Sequence, residues 1–344
     1  MNFASDNTAG ISPEILKALA DANDGAVGSY GADPVTARLE AKLAELFEHE
    51  VAVFPVATGT AANSLALAAV TPPWGAVLCH DEAHIACDEA NAPEFYTGGA
   101  KLVPLPGADG KLTAAALAAR LPGDLGNVHH AQPAALSLTQ ATECGTVYRP
   151  DEIAGIAALA HRHGLAVHMD GARFANALVH LDVSPAELTW RAGVDVLSFG
   201  ATKNGALGAE AIVFFDPARA RDLPFRRKRA GHLFSKMRFL SAQLDAYVTD
   251  DLWRRNARHA NEAAARLAEG LARLPGARLR HPVEANELFV ELPEPVIAGL
   301  LAAGFQFHRW QDPTSRCIRL VTAWNTAAAD VGAFLAEAGR LADR

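Results

Sequence analysis

Leu39, Leu43, Leu46 and Phe47 recur at helical spacing behind Asp33 and Pro34, a pair suited to open a helix. A short apolar run at 51–56 follows, then a Gly and Thr turn and an Ala-rich stretch around 63–70 that reads as a second helix. The unit then recurs. Strand-like runs at 76–79, 102–105, 134–138, 165–169, 194–199 and 212–215 alternate with helical patterns such as 113–121 and 151–163. Short buried strands alternating with helices predict an α/β fold with a mostly parallel seven-stranded sheet covered on both faces. After residue 216 the rhythm changes to long helical stretches, 225–247 and 251–274, broken at Pro275-Gly276. A smaller α+β unit then spans 286–292, 305–310, 317–322 and a final helix. The pattern places a large domain at 1–250 and a small one at 251–344.

Composition narrows the class of function. The chain has 344 residues, half of them hydrophobic and 20% charged, enough for a sizeable core and against disorder as the main state. The formal charge of −8 gives no global reason to bind nucleic acid or an anionic membrane, so a small-molecule substrate is expected. Cys79, Cys87, Cys144 and Cys317 form no CxxC pair, the usage of a reducing compartment. The opening segment has no basic start and no apolar core, and Pro72-Pro73 cut the apolar run at 65–70 short, so neither a secretory signal nor a membrane span is expected. A cytoplasmic location follows.

Three segments carry chemistry. In SFGATKNGALGAE, 198–210, a strand runs into a turn that presents Lys203, and burial of a lysine there favours the neutral amine that a Schiff base needs. Taken alone, such a lysine is more often an exposed turn residue. Upstream, the strand LAVHMD ends at Asp170, where open α/β sheets bind ligands, although an Asp before Gly is also an ordinary turn residue. A third segment, VATGTAANSLAL at 56–67, places Thr58, Gly59 and Thr60 at a helix start, a ready phosphate cradle or simply a cap. His84 and His129 each read, without further context, as half-buried polar residues. The basic run 226–229 reads as a solvated helix face or as a contributor to an anionic site across an interface.

The order of these segments resembles the aspartate-aminotransferase-like, fold type I pyridoxal-phosphate enzymes, and within them the low-specificity L-threonine aldolases and their phenylserine-cleaving relatives. The segments that carry the resemblance are SDNTAGISPEI near the start, GSYGADPVTARLE at 28–40, FPVATGTAAN at 54–63, DEAHIACDEANAPEF at 81–95, SLTQATECGTVY at 137–148, HMDGARFANA at 168–177, the Lys203 segment and IRLVTAWNT at 318–326. They span nearly the whole chain.

The resemblance implies pyridoxal 5′-phosphate as cofactor, Lys203 as the Schiff-base lysine, Asp170 as partner of the pyridine nitrogen and His84 stacked on the ring. Thr58, Gly59 and Thr60 would take the phosphate. Thr202 stands where the best-known members carry a Ser-Lys junction, and Gln140 is assigned a contact to the ring hydroxyl. Ser5, Arg173 and Arg319 would hold the substrate carboxylate, with His129 near the β-hydroxyl. Tyr30 and Lys228 would reach a neighbouring subunit's site in a homodimer or homotetramer. Asp88 occupies a position that is aromatic in some members, which leaves the aldehyde side open.

The reaction implied is retro-aldol cleavage of L-threonine, L-allo-threonine or related β-hydroxy-α-amino acids to glycine and an aldehyde, with His129 or His84 as base. A β-eliminating lyase or a serine hydroxymethyltransferase-like enzyme is the rival within the superfamily. A non-catalytic cofactor-binding protein is the rival from another class.

Overall fold

The computed structural model describes residues 1–343 except Asp124. Seven strands, β1 (Ala52–Val56), β2 (Gly75–His80), β3 (Lys101–Leu105), β4 (Gln132–Thr139), β5 (Ala166–Gly171), β6 (Val196–Gly200) and β7 (Glu210–Phe214), form one sheet in the order β1-β7-β6-β5-β4-β2-β3. From β3 to β6 neighbouring strands are parallel, and β7 alone runs antiparallel to both of its neighbours. β2, β5, β6 and β7 are buried along their whole length, which is why they read as continuous apolar runs without alternation. The helix Gly59–Val70 is buried from Ala61 to Ala68. Its small side chains let it lie close to the sheet, and its N-terminus opens at the strand ends.

A four-stranded antiparallel sheet, from β8 (Arg278–Leu279), β9 (Glu287–Glu291), β10 (His308–Arg309) and β11 (Cys317–Val321), has the order β10-β11-β9-β8 and its own apolar core. The helix Leu252–Leu271 ties the two cores together: Leu252, Trp253 and Ala257 pack in the first, and Ala263, Ala264, Leu267 and Leu271 in the second. The chain's first residues belong with the second unit. Phe3 donates its N–H to the Gln306 carbonyl and accepts from Val321 N–H, both at 2.8 Å, and its ring meets Phe334 edge-on at 5.3 Å. This anchor fixes where Ser5 to Asn7 emerge.

One helix differs from its expectation. The stretch 225–247 is two helices, Leu223–Arg229 and Arg238–Tyr247, because Gly231 between them takes φ +77°, a left-handed backbone no helix interior allows. No helix among the described residues is long and apolar enough to cross a membrane.

Candidate active site at the carboxyl ends of the central strands

β5 and β6 end side by side at Gly171 and Gly200, and a Cβ on Gly200 would sit 2.6 Å from the Ala172 carbonyl oxygen. Only glycine permits that approach, and it lets the turns beyond both strands face one cleft. After β6 a single 3-10 turn, Thr202–Asn204, carries Lys203. The turn is pinned on every side but one. Asn204 donates to the Tyr247 hydroxyl and the Trp253 carbonyl, each at 2.8 Å. Gly205 closes it at φ +112°, where a Cβ would meet Asn256 at 2.9 Å and Ser12 at 3.0 Å. Glu210, opposite Gly200 on β7, accepts the Ala201 N–H at 2.9 Å. Burial pushes the Glu210 carboxyl up to about 7 against the hydrogen bonds from Thr202 and Ala201. Lys203 itself has no hydrogen bond or ion pair among the described residues, and it projects into the cleft.

Opposite it stands a chain of polar contacts. Asp170 accepts the Ala172 N–H at 3.0 Å and the Asn63 amide at 2.8 Å. The same Asn63 nitrogen reaches Glu89 at 2.9 Å, and Glu89 accepts from His84 Nδ1 at 2.8 Å. That hydrogen bond holds the His84 imidazole above its ordinary pKa against the opposing effect of burial, with Glu143 and Asp170 adding to the rise. The other Glu89 oxygen and the Asn63 carbonyl oxygen are buried without a partner, so the network has acceptor capacity left over.

Below this lies a lattice of opposite charges. Arg173, 4% exposed, grips both oxygens of Asp6 at 2.8 and 3.1 Å and reaches Glu287 at 3.4 Å. Arg319 donates twice to the other Glu287 oxygen, at 3.1 and 2.9 Å, and lies over the Trp310 ring. Burial opposes the ionisation of Asp6, but Arg173 and then Lys203 outweigh it and hold the carboxyl below its usual range.

Between these groups is a cavity of about 260 Å³, bounded by Asn7, Thr58, Gly59, Thr60, His84, Glu143, Asp170, Thr202 and Lys203. Thr58 caps the helix Gly59–Val70 by accepting the Ala61 N–H at 3.1 Å, and a Cβ on Gly59 would meet nothing within 4 Å. The donor set therefore suits pyridoxal phosphate: a cradle at a helix start, a carboxylate at a strand end and an uncommitted amine.

The family described as beta-eliminating lyase matches residues 2–294. The low-specificity L-threonine aldolase of Pseudomonas aeruginosa is 48% identical over 94% of this chain and 93% of its own, and that of a Pseudomonas sp. is 44% identical over 97% and 96%. The chain belongs to the low-specificity L-threonine aldolases. A solved threonine aldolase from Leishmania major superposes with a TM-score of 0.93 at 30% identity, covering 99% of both chains. The fold is therefore the type I, aspartate-aminotransferase-like architecture.

Set against the residues the resemblance implied for this family, Thr58, Gly59, Thr60, His84, Asp170, Thr202 and Lys203 line the one cavity, with Arg173 and Arg319 in the charge lattice below it. Ser5 caps the one-turn helix Asp6–Thr8 by accepting the Asn7 N–H, and it is Asp6 and Asn7 that face the site.

Several of the expected residues stand elsewhere in this chain. The Gln140 side chain is fully buried and closes its own loop, donating to the Tyr148 carbonyl at 2.7 Å and accepting the Tyr148 N–H at 2.9 Å. Each amide atom makes one hydrogen bond within the loop, and Gln140 does not border the cavity. His129 is exposed just before β4, beside Lys101 and Arg120 at the amino-terminal rim of the sheet, and this chain does not bring it to Lys203. Tyr30 and Lys228 meet each other instead of the cavity: the Lys228 ammonium lies 4.8 Å from the Tyr30 ring centre. Sequence reasoning missed Asp6, Asn63, Glu89, Glu210 and Glu287. The first four lie inside segments already singled out, but nothing in their spacing says that they orient another residue.

Proposed function

We propose that the protein cleaves L-threonine, L-allo-threonine and related β-hydroxy-α-amino acids to glycine and an aldehyde, using pyridoxal phosphate. The observation that carries this reading is the uncommitted Lys203 facing Asp170, whose carboxylate is held by Asn63 within the Glu89–His84 chain. Thr58, Gly59, Thr60 and Thr202 would hold the phosphate, Asp170 the pyridine nitrogen and His84 the ring face. Bound there, the group would supply a carbon for imine formation and a ring that withdraws the electron pair left at Cα.

Lys203 provides the amine to which the cofactor attaches. Arg173 and Arg319 present a forked guanidinium surface suited to the substrate carboxylate, and Asp6 and Glu287 hold those forks in place. Fixing the carboxylate fixes which bond at Cα is aligned to break. Ser5 keeps the Asp6 turn in position.

The protein is further expected to work as a homodimer or homotetramer in the cytoplasm. Phe225, 77% exposed on the basic helix Leu223–Arg229, and the half-exposed Tyr30 offer surface that a second copy would cover. Incubation with L-threonine and L-allo-threonine tests the reaction: glycine and acetaldehyde in equal amounts are expected, and ammonia with a keto acid would indicate β-elimination instead.

A further inference from the structure

Six carboxyl groups stand in the cavity or in the charge lattice beside it, and five have named partners. Asp6 and Glu287 hold arginines, Glu89 holds His84 and Asn63, Asp170 accepts from Asn63 and Ala172, and Glu210 accepts from Ala201. Glu143 accepts no hydrogen bond among the described residues, yet it lines the cavity on the side of His84. A carboxyl taken partly out of water without a donor is costly, so a fold gains nothing from it unless a ligand supplies the missing contact.

Its loop is built to hold it there. The Thr142 and Thr146 hydroxyls lie 2.8 Å apart, and Thr146 donates to the Asp109 carbonyl at 2.6 Å, which leaves the Thr142 proton for Thr146 or for the same carbonyl. Thr142 N–H reaches the Thr146 carbonyl at 2.9 Å, and Gln140 locks the loop base through Tyr148. Gly145, at φ +75°, lies so near β9 that a Cβ would meet the Glu287 carbonyl oxygen at 2.6 Å. One residue beyond Glu143, Cys144 already borders a different, larger cavity, whose His281–Asp109 and Arg280–Glu291 pairs are closed on themselves. The tip of the loop thus commits Glu143 to the Lys203 side.

We propose that Glu143 is the catalytic base of the aldol cleavage, taking the proton of the substrate's β-hydroxyl. The assignment rests on the reaction proposed above. As the Cα–Cβ bond breaks, its electron pair stays with Cα. The oxygen's pair becomes the second bond of the aldehyde carbonyl, and the hydroxyl proton passes to the carboxylate. Cα gains one proton from pocket water and Glu143 returns one to it, so the cycle is balanced. Burial, with Glu287 and Asp170 close by, raises the Glu143 carboxyl above the ordinary range although Lys203 and Arg173 pull the other way. A carboxylate so placed is a stronger base than one in water.

Glu143→Gln removes the base and keeps the shape. Glycine release from L-threonine is expected to fall by about 100-fold or more. Exchange of the glycine α-proton in deuterated water moves no β-hydroxyl proton, so it should persist, as should the visible band of the bound cofactor. Glu143→Asp, which restores a shorter carboxylate, should recover part of the cleavage rate. Undiminished cleavage in Glu143→Gln, parallel loss of cleavage and glycine exchange, or a Glu143→Asp no better than the Gln variant would each overturn the assignment. A parent enzyme that exchanges the glycine proton but yields no glycine from threonine would instead overturn the reaction.

Discussion

The two halves of the cavity are built on opposite plans. On the Lys203 side the groups that would meet a cofactor stand ready: the amine is uncommitted, the helix start is open, and the Asn63 and Glu89 network retains unused acceptors. On the Arg173 side every charge is already answered, since Asp6 and Glu287 take both guanidinium groups in buried ion pairs. The first half waits for a ligand, and the second is rigid without one. A buried fork of this kind does not gain much net stability, but removing one partner leaves the others stranded in low dielectric. The difference teaches that the carboxylate end supplies a fixed reference frame and the Lys203 end supplies the reactivity.

The largest effect should come from the waiting half. Lys203→Ala is expected to yield folded, colourless protein with no measurable cleavage, read from the visible spectrum and glycine release. Lys203 makes no ion pair among the described residues, although its charge helps to hold the Asp6 carboxyl low, so the variant's unfolding midpoint in the absence of cofactor should fall only slightly. A large drop would mean that Lys203 belongs to the rigid half.

The mirror experiment is Arg173→Met. It leaves buried Glu287 with Arg319 alone and buried Asp6 with no guanidinium, and the expected cost is about 3–5 kcal/mol, read as a lower urea midpoint at fixed cofactor concentration. A loss below about 1 kcal/mol, the range of exposed ion pairs, would show that the lattice is wetter than its geometry implies.

This division also explains what could be read from the sequence. The seven-strand alternation and the turn around Lys203 were legible because buried parallel strands announce themselves as apolar runs and the reactive residues sit at their ends. Asp170 and Thr58 followed by the same rule. Asp6, Glu89 and Glu287 were not legible: each works by holding another side chain, and their partners are 167, 5 and 32 residues away with no periodic signal. The Gln140 contact came from the resemblance alone, and no pattern in the sequence announces the loop-closing bonds its amide makes to Tyr148. The break at Gly231 was hidden within a continuous helical pattern.

A smaller change should follow from the link between the halves. His84 is held above its ordinary pKa of 6.5 by the hydrogen bond to Glu89, so whatever stability this pair adds is present below that value and fades as pH rises through the folded-state pKa. Glu89→Gln replaces the charged acceptor with a neutral amide. The His84 resonance should then titrate at lower pH in an NMR series, and stability should become less dependent on pH just above neutrality. An unmoved His84 titration would show that Glu143 and Asp170, not the hydrogen bond, set it.

The smallest effect is expected at His129, and it bears on whether either half extends beyond this chain. The residue sits before β4, at the end of the parallel sheet opposite the one where β5 and β6 present Asp170 and Lys203. Its neighbours there, Lys101 and Arg120, are at the surface, and its backbone N–H is held by the Asn127 side chain at 3.0 Å, so the local turn survives replacement of the imidazole. If the cavity is complete within one chain, His129→Phe should leave glycine release, the threonine to allo-threonine ratio and the cofactor band unchanged. A selective fall in turnover, with the cofactor band intact, would mean either that this rim meets the cavity of another copy or that the change is transmitted through β4. Repeating the assay across a dilution series separates the two cases, because a contribution from a second copy weakens as the assembly dissociates, whereas an effect transmitted through β4 does not depend on concentration.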